Sequence, residues 1–157
     1  GHLASMTVAI NSSKKLQEVF EIEPIDISFR ALALTCSVPN PSKYANIPIG
    51  HLYMKPCYGK NFKKCGFYKE SDFCNNIPVD LPPVFINTSK KDPFCKDNDN
   101  LYKKLREMNY DVEIFLCTEK KENGVKIDHV YNIVKTDLEV SQKTNKRMAD
   151  FFKENLK

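Results

Sequence analysis

Apolar residues in this chain gather into a few short unbroken runs, separated by long stretches rich in charge, proline and tyrosine. The clearest run follows a double proline, in Leu81-Pro-Pro-Val-Phe-Ile-Asn-Thr-Ser. Proline suits the entrance of a strand but not its centre, so the pattern predicts a strand beginning near Val84. Val84, Phe85 and Ile86 are β-branched or aromatic, as a buried strand prefers. A second run, Ala31-Leu-Ala-Leu-Thr-Cys36 within the span Phe29 to Cys36, is nearly continuous rather than alternating. That is expected of a parallel strand covered on both faces, although a short helix has the same pattern. Tyr110-Asp-Val-Glu-Ile-Phe-Leu-Cys117 is a third strand, alternating at first and then fully apolar.

Helical periods fall around these strands. Leu101, Leu105 and Met108 recur at i, i+4 and i+7, with Asp97 or Asp99 placed to cap the helix and Asn109 to end it. Met148, Phe151 and Phe152 give a last helix a core face, and Ser141 could cap it. At the start, Leu3, Ala4, Val8 and Ala9 make one face with no N-cap before them. This opening reads either as a helix already in progress or as an expression scar, Gly-His-Leu-Ala-Ser, ahead of a true start at Met6. The order helix, strand, insertion, strand, helix, strand, loop, helix predicts an α/β fold with a parallel sheet.

Residues 42–80 have another texture. Aromatics such as Tyr44, Tyr58, Phe62 and Tyr68 are interleaved with lysines, prolines and glycines, and no period is sustained. Such a segment serves as a lid or insertion over an apolar pocket, and the same ingredients can bind single-stranded nucleic acid. No RNA-binding motif accompanies them, so nucleic acid is not expected as a partner.

Composition adds bounds. A chain of 157 residues, 41% hydrophobic and 28% charged, is long enough for one domain with a sizeable core, here taken as residues 1–157. The net charge of +4 is small and scattered. No apolar run approaches the roughly 20 residues of a membrane helix, and no signal peptide or other mark of compartment is visible. Of the six cysteines, Cys57, Cys65 and Cys74 cluster, while Cys36, Cys95 and Cys117 are dispersed. None forms a Cys-x-x-Cys pair, so no structural metal is expected; a disulfide in the cluster is possible in an oxidising compartment, and reduced thiols are the default.

The candidate chemistry lies in two loops. Asp92 stands just beyond the carboxyl end of the Val84 strand, where open α/β sheets place working residues, although an aspartate before proline can simply start a turn. His129 follows the next strand and its loop. Both loops leave the same edge of a parallel sheet, so the carboxylate could orient the imidazole and stabilise its protonated form. A lone histidine at the surface is the plain alternative.

Leu81 to Asp92, Asn100 to Ile114, and His129-Val-Tyr-Asn-Ile with the tail ending Phe151-Phe152 together resemble the α/β-hydrolase esterases of the hormone-sensitive-lipase-like and acetyl-esterase branches. The resemblance implies that Asp92 is the triad acid and His129 the general base, with no metal or cofactor. The family's serine lies in Gly-x-Ser-x-Gly, which is absent from this chain. Gly1-His-Leu-Ala-Ser-Met is similar to the residues directly after that serine. The resemblance therefore implies the C-terminal half of such an esterase, beginning after its nucleophile, with 42–80 as a variable insertion. It also implies a small ester substrate, the N-terminal half of the same hydrolase as partner, and no activity for this half alone. A non-catalytic α/β interaction module, with Asp92 and His129 structural, is the competing expectation.

Overall fold

The computed structural model describes residues 1–156; the side chains of Ile49, Leu52, Tyr53 and Cys65 lie outside the described part, and with Cys65 part of the cysteine cluster. Its elements, in chain order, are α1 (His2–Asn11), α2 (Lys14–Phe20), β1 (Leu32–Thr35), α3 (Pro48–Tyr58), α4 (Phe62–Cys65), α5 (Phe67–Glu70), β2 (Val84–Ser89), α6 (Cys95–Glu107), β3 (Val112–Cys117), β4 (Lys121–Glu122), β5 (Val125–Lys126), α7 (Tyr131–Val134) and α8 (Glu139–Asn155). The chain divides into two compact units: Gly1, 28–38 and 82–157 form one, and 2–27 with 39–81 form the other.

The first unit is built on a parallel sheet of order β1-β2-β3. β2 lies at its centre, and all six of its residues are buried, which is why the sequence there shows no alternation. Leu34, Ile86 and Ile114 fall in one register row, and Asn87 is flanked by Thr35 and Phe115. Phe85 packs on Phe151 of α8, ring centroids 5.6 Å apart, while Leu101 and Leu105 bury the inner stripe of α6. Met108, expected on that stripe, is exposed, because α6 has ended by then and Asn109 turns the chain with a left-handed φ of 61°.

Both expected helix caps are corrected. α6 starts at Cys95, so Asp97 sits in its first turn rather than at its cap. α8 starts at Glu139; its first backbone N–H groups, on Glu139 and Val140, donate to the carboxylate of Glu122 at 2.6 and 3.0 Å. Ser141 is buried inside the helix and donates to the Tyr131 carbonyl. Glu122 is within reach because residues 118–128 are not a plain loop. β4 and β5 pair there as a small hairpin, turned by Asn123-Gly124 with positive φ at both.

The second unit holds α1 to α5 and short 3-10 turns at Pro41–Tyr44 and Phe73–Asn75. Residues 42–80, without a period in sequence, thus form short helical segments, capped at Gly59 and Gly66 with positive φ. Ala45, Met54, Phe62 and Tyr68 make one buried cluster, in which Phe62 and Tyr68 meet edge to face. Phe62, Tyr68 and Phe73 of this basic-aromatic segment are therefore core, Phe67 is exposed, and the lysines are solvated. α1 buries Ser5, Met6, Val8 and Ala9; Leu3, expected inside, is exposed. Among the described residues no helix is long and apolar enough to cross a membrane.

Candidate active site

The site belongs to the first unit and lies where β1 and β2 end. Ser89 closes β2, and the chain turns at once, the Asp92 N–H donating to the Ser89 carbonyl at 3.0 Å. The turn points the Asp92 side chain inward, where it is fully buried. Its two oxygens are divided among three donors. Oδ2 accepts from Thr88 Oγ1 at 2.9 Å, and Oδ1 accepts from the Phe94 N–H at 2.9 Å and stands 3.1 Å from His129 Nδ1. A buried carboxylate needs such donors, since ionising it in a dry environment is otherwise very costly.

A carboxylate only accepts, so the Asp92 contact places the proton of neutral His129 on Nδ1. Nε2 then carries the lone pair. The imidazole is 42% exposed, so part of the ring away from the buried carboxylate is open to solvent. The Phe94 ring meets the imidazole edge-on at 5.4 Å between centroids and limits its rotation.

The histidine loop is held from both sides. Before it, Ser89 Oγ is within 3.3 Å of the carbonyls of Ile127 and Asp128. After it comes a buried polar network. The Tyr131 hydroxyl donates to Asn87 Oδ1 at 2.9 Å and lies 2.8 Å from the Thr144 hydroxyl; Asn87 Nδ2 donates to Asn132, which is bonded in turn to Asn145. Burial pushes the Tyr131 phenol up, so it stays a neutral donor. Asp128, next to His129, is held below the usual carboxylate range by its hydrogen bond with Lys135.

Asp92 and His129, both expected from the sequence, have their side chains in contact across 37 positions. Cys36 was not among the expected site residues. This residue ends the β1 run, has a left-handed φ of 45°, and is buried. Its sulfur accepts the Val130 N–H at 3.2 Å and lies within 4.8 Å of an Asp92 carboxylate oxygen. Burial and the neighbouring carboxylate push that thiol well up, so it is neutral. Its only signal in sequence is a cysteine at the carboxyl end of a buried strand.

No family model and no curated protein matches the chain. Solved structures do. Esterase B from Lactobacillus rhamnosis HN001 superposes with a TM-score of 0.79 at 24% identity, over 98% of this chain and 49% of that one. Esterase E25 matches with a TM-score of 0.53 at 16% identity, over 97% and 46% respectively. A fungal esterase from Rhizomucor miehei gives 0.52 at 12%, over 97% and 48%. The parallel sheet with its flanking helices is the C-terminal half of an α/β-hydrolase fold. The chain spans about half the length of the esterases it resembles.

Proposed function

We propose that this chain is part of a carboxylic-ester hydrolase and supplies the acid and the base of a Ser-His-Asp triad, Asp92 and His129. The observation carrying this reading is the buried Asp92 carboxylate held 3.1 Å from Nδ1 of a half-exposed histidine, on a fold shared with esterases. A hydrogen bond alone is common; here the carboxylate fixes the tautomer that leaves Nε2 available, which is the requirement for a general base.

In the mechanism, a serine from an N-terminal part of the hydrolase outside this sequence attacks the ester carbonyl. His129 Nε2 takes its proton and returns it to the leaving alcohol, and Asp92 stabilises the imidazolium between those steps. Water repeats the cycle on the acyl-enzyme. The donors that stabilise the tetrahedral oxyanion also belong to that outside part. The 157 residues form part of one hydrolase domain, with 42–80 as its variable insertion. β1 has a strand on one side only among the described residues, which leaves an edge for a further strand to cover.

The test is hydrolysis of a simple aryl ester by the protein assembled with its N-terminal part. Asp92→Asn and His129→Gln should each lower kcat/KM by roughly a thousandfold or more while circular dichroism still reports the native fold. Full activity in both variants removes the site assignment and favours a non-catalytic module.

A further inference from the structure

Cys36 has no part in the proton transfers above, yet its sulfur, an oxygen of Asp92 and a ring nitrogen of His129 all lie within 4.8 Å of one another. We propose that these three side chains form a binding site for a thiophilic divalent cation, zinc being the representative ion, and that the ion and the Asp92–His129 hydrogen bond exclude each other.

The donor set suits zinc, which binds thiolate, imidazole and carboxylate at about 2.0–2.3 Å and so spaces its ligand atoms roughly 3.2–3.7 Å apart in a tetrahedron. Asp92 and His129 already stand 3.1 Å apart, and no pair among the three ligand atoms exceeds 4.8 Å, so binding draws them together by about 1 Å at most. The exposed side of the imidazole leaves the fourth position to water. Charge balances as well: one thiolate and one carboxylate neutralise a divalent ion, so the filled site buries no net charge. Without the ion, a thiolate beside the buried carboxylate would be repelled, and the thiol keeps its proton.

Binding moves two protons. Cys36 releases its thiol proton to solvent. His129 must free Nδ1, the nitrogen facing Asp92, so its proton passes to Nε2. That is the opposite tautomer from the one a general base needs. Occupancy therefore inhibits, a consequence that rests on the proposed esterase activity, whereas the binding itself does not.

The test titrates cobalt(II), a spectroscopic substitute for zinc, into the protein purified as expressed, with a phosphine reductant and no chelator. One equivalent should give a thiolate-to-cobalt charge-transfer band and tetrahedral visible bands, reversed by zinc. Cys36→Ser should abolish the charge-transfer band and weaken zinc binding by roughly tenfold or more. His129→Gln, at a half-exposed position, should weaken it comparably, and Cys57→Ser, at an exposed cysteine, should leave it unchanged. No thiolate band, a band that survives Cys36→Ser, or dependence on Cys57 alone overturns the site. In the ester assay on the protein assembled with its N-terminal part, zinc should inhibit the parent assembly and spare the one carrying Cys36→Ser; hydrolysis indifferent to zinc overturns the inhibition. If the cobalt results hold while no ester is hydrolysed, the metal site stands and the esterase reading fails.

Discussion

Val130, directly after His129, has a left-handed φ of 49°, a conformation that costs a β-branched residue about 1–2 kcal/mol. Cys36, which accepts the Val130 N–H, is left-handed too. Both bends serve one outcome, which is to bring the histidine loop onto the end of β1. Val130→Asn should relieve the strain and raise unfolding stability by about 1 kcal/mol, readable as a shift in the denaturant midpoint at constant m-value. Tyr131 gives a pH prediction. A phenol whose pKa is raised in the fold contributes stability that is complete below its unfolded value of about 10 and is lost as pH rises further. Phenolate absorbance from Tyr131 should therefore appear together with loss of the native circular dichroism. Tyr131→Phe should lack that alkaline component, and at neutral pH it should be about 1–2 kcal/mol less stable, because Asn87 loses its buried donor.

Among elements, legibility followed how local the determining physics is. The start of β2 at Val84 and the interior of α6 follow from neighbours in sequence, and both stand as expected. Helix ends depended on remote partners. The start of α8 is satisfied by Glu122, seventeen positions earlier, on a hairpin whose Asn-Gly signal is present in the sequence. No rule of spacing along α8 could have found that carboxylate. Glu122→Ala should destabilise the first unit by about 1 kcal/mol, and protection from hydrogen exchange should fall mainly at Glu139 and Val140.

For the whole molecule, the proposed division of labour puts the nucleophile outside this sequence. An activated fluorophosphonate should then label a serine in the N-terminal part of the assembled hydrolase and none in residues 1–157, and His129→Gln should slow that labelling. Labelling of a serine within residues 1–157 would falsify that assignment. The polar network joining β2, the histidine loop and α8 has a part here as well, since it holds Tyr131 and Asn132 just beyond the base.

The sequence by itself determined the α/β class, the parallel strands and their order along the chain, and the two loops bearing Asp92 and His129. Apolar runs and prolines act locally, and a parallel sheet returns successive loops to one edge. Only the tertiary structure decided that Oδ1 of Asp92 faces Nδ1 of His129, that Cys36 joins them, and that Glu122 caps α8. Those are contacts between atoms 17 to 94 residues apart in the chain, set by how the elements pack, and no local pattern encodes them.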